Sequence, residues 1–113
     1  MLFFNKKSNK PTIVAIHGFG VRGVDEFEKL RIAVEKKCYT FKSVQLYDLE
    51  DPSDTDWASW ISKAKSLITE VAHDSNIILI GFSMGGVIAS YLANSYKVKK
   101  LVLLSPAFEY LNI

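Results

Sequence analysis

Hydrophobic positions along this chain fall into two alternating kinds of segment. Short apolar, β-branched runs occupy residues 12–16, 44–47, 77–80 and 101–104. They are apolar at successive rather than alternate positions, the pattern of strands in a parallel sheet covered on both faces. Residues 2–4 form a shorter run of the same kind, the candidate for a fifth, edge strand within an N-terminal segment 1–11. Between the runs the period changes to that of a helix. Over 56–73, Trp57, Trp60, Ile61, Ala64, Leu67, Ile68 and Val71 make one stripe. Ser53-Asp54-Thr55-Asp56 before it has the chemistry of a helix N-terminus. A helix over 26–37 would bury Phe27, Leu30 and Val34, with Asp25 as its cap. A third, starting at Ser83 or Met84, would turn Val87, Ile88, Tyr91 and Leu92 inward. Alternating strands and helices predict a run of βαβ units with right-handed crossovers. The fold class is therefore α/β, with a mostly parallel sheet of four to five strands and helices on both faces. No repeat, low-complexity stretch or linker divides it, so 1–113 reads as a single domain.

Composition narrows the class of function. Apolar residues are 49% of the 113 and aromatics 12%, enough for a core and too much for a disordered chain. The net charge is +2 with Lys and Arg scattered, which leaves no electrostatic footprint for nucleic acid. One cysteine, Cys38, permits no intramolecular disulfide and fits a reducing compartment. At the end of an apolar helical pattern it is expected to be a buried structural thiol. The run Met1-Leu2-Phe3-Phe4 is too short for a signal peptide or a membrane span, so a cytoplasmic location is expected.

Gly81-Phe82-Ser83-Met84-Gly85-Gly86 is the segment richest in chemistry. It follows an apolar strand run directly and precedes an amphipathic helix. Glycines two before and two after a serine let a strand turn into a helix without Cβ clashes, holding the serine exposed at the tip. The bland reading, a tight turn with a capping serine, is disfavoured by that strand–turn–helix context. A helix that starts at the nucleophile also directs free N–H groups and a positive dipole end at a developing oxyanion, with the Met84 N–H as the first donor. His17-Gly18-Phe19-Gly20 ends the first strand and can bring a second N–H, that of Phe19, to the same place. His17 itself is expected to be packed and hydrogen-bonded. Gly18-Phe19-Gly20-Val21-Arg22-Gly23 is also a literal G-x-G-x-x-G, with Asp48 after the next strand, the layout of a dinucleotide site. Against that reading, the helix is expected only after Gly23, and Gly81–Gly86 would be left unexplained.

Taken together, His17–Gly20 and Gly81–Gly85 resemble the oxyanion loop and nucleophile elbow of the α/β-hydrolase superfamily of esterases and lipases. Residues 101–106, ending in Ser105-Pro106, resemble the strand after the elbow helix, and 48–51 the loop after the second strand. The resemblance covers nearly the whole chain from Thr12 and is nearest to monoacylglycerol lipases and carboxylesterases. It implies Ser83 as nucleophile, Phe19 and Met84 as oxyanion donors, Gly18, Gly20, Gly81 and Gly85 as motif glycines, and a small-molecule ester or acyl substrate. It implies no metal and no cofactor.

The family's triad runs Ser, then Asp or Glu, then His. After Ser83 the only acidic residue is Glu109 and there is no histidine. His73 stands before the strand leading to the elbow, about 20 Å from Ser83 by strand rise. His17 sits in the oxyanion loop, where the family places no base. Asp48, Asp51, Asp54 and Asp56 lack the spacing of a cation loop and read as a solvated, helix-capping segment. The expectation is an incomplete α/β-hydrolase, cut near its cap region at Ile113 and inactive alone. The strand at 101–104 would then be an open edge inviting self-association. The alternatives are a non-catalytic binding module on a degenerate hydrolase fold and, behind it, the dinucleotide site at Gly18, Gly20 and Gly23.

Overall fold

A computed structural model describes residues 10–19, 23–51, 53–71 and 76–107. Along these the chain forms β1 (Thr12–Ile16), α1 (Gly23–Glu26), α2 (Glu28–Lys36), β2 (Thr40–Ser43), α3 (Trp57–Val71), β3 (Ile77–Phe82), α4 (Met84–Ala93) and β4 (Lys100–Leu104). The strands pair in parallel in the order β2-β1-β3-β4. This is the α/β sheet that the alternation predicts; the run at 2–4 lies outside the described residues.

The sheet divides two cores. On one face Val14, Ile16, Ile77 and Leu79 pack with Trp60, Ala64 and Ile68 of α3 and Ile88, Ala89 and Leu92 of α4. On the other, Ile13, Ala15 and Ile80 pack with Phe27, with Leu30 and Val34 of α2 against them. Successive residues of β1 and β3 thus point into different cores, which is why both read as unbroken apolar runs. Asp56 begins α3 as its residue type predicts, accepting the Ser59 N–H at 3.2 Å.

Four expectations need correction. The second strand is Thr40–Ser43, not 44–47. Helix α2 ends four residues before it in a double closure: the Cys38 N–H donates to the Glu35 carbonyl at 3.0 Å and the Tyr39 N–H to the Val34 carbonyl at 3.1 Å. Cys38 takes the left-handed φ of 69° that this closure needs. The chain therefore re-enters the sheet at Thr40, opposite Thr12. Leu46 and Tyr47 are apolar because they fill the first core after the strand has ended. Second, Cys38 is exposed rather than buried, because the closure carries it out past the helix end. Third, the expected helix over 26–37 breaks at Phe27, whose side chain drops into the second core at 4% exposure. Asp25 consequently lies inside α1 and not at a cap. Fourth, Tyr91 faces outward at 59% exposure, between the buried Ile88 and Leu92 of its helix.

Among the described residues the two edges of the sheet differ. Edge strand β2 is four residues long with Lys42 exposed near its centre, a guard against pairing with another chain. Strand β4, Lys100-Leu101-Val102-Leu103-Leu104, has no charge after its first residue, and Leu104 is 43% exposed. We propose that the isolated chain self-associates through β4. Light scattering at micromolar concentration should show species larger than a monomer, and Leu104→Lys should reduce them. A monodisperse wild-type monomer would count against an open β4 edge.

Candidate active site

The strand order places two loops side by side. From β1 the chain moves one way to β2, then crosses back beyond β1 to β3. The carboxyl ends of β1 and β3 flank this reversal, the position where open α/β sheets form a crevice. The loops leaving those ends begin with His17-Gly18-Phe19 and with Ser83.

Ser83 occupies the tip of the turn between β3 and α4 with φ 55° and ψ −117°. For a residue with a Cβ this is a strained conformation, costing on the order of 1–3 kcal/mol and kept only where the surroundings enforce it. They do so through the backbone. The Ser83 N–H donates to the Leu104 carbonyl at 2.9 Å, and its own carbonyl accepts from Gly86 N–H at 2.9 Å and Ala107 N–H at 3.2 Å. The turn is thus tied to its own helix and to the segment leaving β4.

Glycines make the closeness possible. A Cβ at Gly81 would lie 2.6 Å from the Gly86 Cα and against the Gly85 carbonyl. One at Gly85 would lie 2.5 Å from the His17 carbonyl oxygen and against that of Ile16. Both obstacles are backbone, so neither can give way. At Gly18 a Cβ would lie 3.2 Å from both the Ser83 Cβ and the Phe82 carbonyl oxygen. The sequence-predicted residues Gly18, Gly81, Ser83, Met84 and Gly85 are therefore brought together, with Phe19 next in the chain to Gly18. Gly20 lies outside the described residues, as do His73 and Glu109. Met84 is 2% exposed and packs into the first core, while Phe82 packs against the second; both are packing side chains.

His17 is fully buried. Its Nδ1–H donates to the Gly18 carbonyl at 2.7 Å, and its Nε2 accepts the Leu46 N–H at 2.9 Å. Tyr47 meets its ring edge-on at 5.3 Å, and the Tyr47 hydroxyl also donates to the Gly18 carbonyl at 3.3 Å. The two nitrogens are occupied, one donating and one accepting, which fixes a neutral ring. Burial holds its pKa below the ordinary value near 6.5, outweighing the upward pulls of the Gly18 carbonyl and the Glu26 carboxylate. His17 is a strut between the first loop and 44–47, as its packed reading predicts.

Two features of the site are not legible in the motifs. Glu26 accepts the Gly18 N–H at 2.9 Å, pinning the loop from α1. A carboxylate on the glycine run repels phosphate, which weighs against the dinucleotide reading, although α1 does start at Gly23, earlier than expected. The other feature is an aromatic group beside the crevice. Phe19, 64% exposed, lies tilted against Tyr47 at 5.4 Å and Trp60 at 5.9 Å, and Trp60 meets Trp57 at 6.1 Å. The Trp57–Trp60 spacing is its one sequence signal, and that spacing alone indicates a core stripe. The aspartates of 48–56 hold their own segment. Asp54 accepts the Asp48 N–H at 2.9 Å and the Trp60 Nε1–H at 3.0 Å, and these bonds hold its carboxyl below the usual range. Among the described residues no three or more His, Cys, Asp or Glu side chains are grouped to hold a metal ion, and no helix is long and apolar enough to cross a membrane.

Comparison with known proteins follows the same lines. Residues 12–113 match the uncharacterised protein family UPF0227. No curated protein matches the chain. Among solved structures, a protein from Xanthomonas campestris pv. campestris assigned to the hydrolases of the alpha/beta superfamily superposes with a TM-score of 0.62 at 21% identity, over 83% of this chain and 57% of that one. EstE7, a homologue of HSL from a metagenome library, superposes with a TM-score of 0.62 at 16% identity, over 86% of this chain and 37% of its own. The sheet and its helices are thus of the α/β-hydrolase fold, and the chain spans 57% and 37% of the lengths of these two structures.

Two outcomes follow from the geometry. Gly85→Ala should cost roughly 3 kcal/mol, the upper part of the range for overpacking, read from urea denaturation midpoints; a loss below about 1 kcal/mol would mean that the contact with β1 is looser than described. His17 favours its neutral form when folded, so the unfolded chain binds the extra proton. Its stabilising contribution is full above about pH 6.5 and is lost as pH falls toward the lower folded pKa. His17→Gln should be less stable than wild type at pH 7.5 and should lose less on going from pH 7 to pH 5.

Proposed function

The chain belongs to the uncharacterised protein family UPF0227, and on that premise we propose that it carries the nucleophile and oxyanion-binding portion of a serine acyl hydrolase, of the carboxylesterase or monoacylglycerol-lipase kind. The observation that carries this reading is the strained Ser83 at the tip of β3–α4, with Gly18 packed against it.

In this reading the Ser83 Oγ attacks the carbonyl carbon of an ester. Negative charge grows on the carbonyl oxygen as the tetrahedral intermediate forms. Met84, the first residue of α4, supplies an N–H at the positive end of the helix, and Phe19, held beside the elbow through Gly18, supplies the second. Glu26 does not touch the reaction; it fixes the loop that aims Phe19. Losing one such donor costs roughly a hundredfold to a thousandfold in rate.

The proton on Oγ must go to a base. His17 cannot take it, since its Nε2 lone pair already accepts the Leu46 N–H. No histidine follows Ser83 in the sequence. The commitment of His17 to structure favours one second reading, a hydrolase-fold module that binds rather than turns over. The expected result with a fluorophosphonate probe is slow, covalent labelling of wild type that disappears in Ser83→Ala, followed by intact-mass spectrometry. Absence of labelling in both proteins would leave the binding module as the function.

A further inference from the structure

Lysines that stand apart in the sequence come together in the fold. In a parallel sheet every strand starts at the same end, here the end opposite the crevice. The register sets Thr12 beside both Thr40 and Ile77, and Lys100 beside Ile78. The Thr12 N–H donates to the Asn76 carbonyl at 2.8 Å and the Lys99 N–H to the Ile77 carbonyl at 2.7 Å. The residues leading into β1, β2 and β4 therefore lie abreast. They include Lys10, Lys36 with Lys37, and Lys97 with Lys99 and Lys100, all exposed. Three strand spacings separate β2 from β4, about 14 Å, so neighbouring groups stand within roughly one or two Debye lengths at physiological salt. Lys10 Nζ donates to the Lys37 carbonyl, which joins two of the groups directly.

Opposite charge collects at the crevice end, where Asp25 and Glu26 follow β1 and the aspartates of 48–56 lie between β2 and α3. Among the described residues the acids at the lysine end are Glu35, held by Arg31 at 2.7 Å, and Glu70 in the last turn of α3. Lys36 offsets the negative end of the α2 dipole. Lys10, Lys97, Lys99 and Lys100 lie on no helix, so that role does not account for them.

The chemistry of this end selects among anionic partners. All six cations are lysines, point charges without the planar fork that reads a phosphate bidentately. The rings there, Tyr39 and Tyr96, are half-buried. Lys10 lies over the Tyr39 ring at 5.0 Å and Tyr96 packs against the first core, so neither is open for a base to stack on. An aliphatic group is exposed instead. With Lys29, Ile32 and Ala33, the residues Lys36 and Lys37 border a depression of about 530 Å³ on the outer face of α2, and Ile32 is 42% exposed. Lysines around an exposed aliphatic side chain match an anionic lipid surface, where ammonium groups meet headgroups and the aliphatic group enters the interface.

We propose that the end of the sheet where the strands begin docks on an anionic phospholipid surface, leaving the crevice open to water on the far side. The proposal uses no residue of the crevice and stands apart from the hydrolase reading. Co-sedimentation with vesicles of phosphatidylcholine and phosphatidylserine in equal parts tests it. Wild-type binding should fall steeply as salt is raised, a readout that needs no variant. Each lysine near such a surface strengthens binding roughly fivefold, so Lys97→Glu/Lys99→Glu should weaken it at least about tenfold. Lys42→Glu/Lys65→Glu, the same change of net charge elsewhere, should weaken it by less than about threefold. All four positions are exposed, and both variants should keep the wild-type circular dichroism spectrum. Trp57 and Trp60, the two tryptophans of the sequence, lie in the first turn of α3 at the crevice end, and brominated acyl chains should leave their fluorescence unquenched.

Absence of binding to the anionic vesicles, equal binding to pure phosphatidylcholine, or equal losses in the two variants would overturn the proposal. Quenching of the tryptophans would put the crevice end on the membrane and overturn it as well. So would tighter binding to a single-stranded RNA homopolymer than to the anionic vesicles, which would give this end to a nucleic acid.

Discussion

Everything near Ser83 depends on one contact that involves no side chain, the approach of Gly85 to the end of β1. A Cβ there would meet the carbonyl oxygens of Ile16 and His17, so the first turn of α4 rests directly on the neighbouring strand. Gly81 does the same beneath the turn, against Gly85 and Gly86. The chain must leave β3, reverse at one residue and begin a helix within this clearance, and only a strained Ser83 closes the path. Strain of this kind persists when the surroundings over-determine it. Here they do: α4 sits on β1, the last residue of β4 accepts the Ser83 N–H while Ala107 just beyond it donates to the Ser83 carbonyl, and Gly18 closes the third side.

His17 shows how the same crevice satisfies its own polar groups. Where β2 ends, the backbone of 44–47 leaves the sheet and would bury its N–H groups without partners. The Leu46 N–H is taken by His17 Nε2, the Leu46 carbonyl by Lys63 Nζ at 3.1 Å, and the Gly18 carbonyl by His17 Nδ1–H and the Tyr47 hydroxyl. A neutral imidazole, one side donor and one side acceptor, can bridge two backbone segments as no charged group could at that depth. The histidine whose loop packs against the Ser83 turn is thus committed to structure, which is also why it is unavailable as a base.

Much of this arrangement was legible in the order of residues. The apolar runs locate β1, β3 and β4 to within one or two residues, and the glycine spacing around Ser83 locates the tight β3–α4 turn because a steric requirement leaves few residue types able to meet it. What escaped has a common cause. The end of α2 falls within one residue of the expected 37, but the left-handed residue that returns the chain at once to the sheet, usually glycine, is here Cys38, so nothing in the sequence marks the immediate re-entry and the strand is expected four residues late. Phe27 broke a helical pattern that propensity alone would continue, because burial opposite Phe41 outweighs one uninterrupted turn. Glu26 on Gly18 joins residues eight apart across a turn, and the tilted contact of Phe19 with Trp60 joins residues 41 apart; neither partner carries a local signature. Local sterics are written locally, whereas contacts made across the crossover are not.

The division between what is present and what is absent follows the same line. Oxyanion stabilisation needs aimed backbone N–H groups, and aiming is a property of tight turns and helix starts, which the glycine pattern encodes within a few residues. Proton transfer needs a side chain of suitable pKa within about 3 Å, held by a partner of its own, and that depends on which distant segments meet. Removing a triad member still leaves roughly a thousandfold to ten-thousandfold of catalysis through oxyanion binding and positioning. In the proposed reading, reactivity at Ser83 therefore does not depend on His17, which is committed to structure. Reactivity at Ser83 and hydrolysis are separable in that reading, because aimed backbone donors and a proton acceptor are set by different parts of a chain.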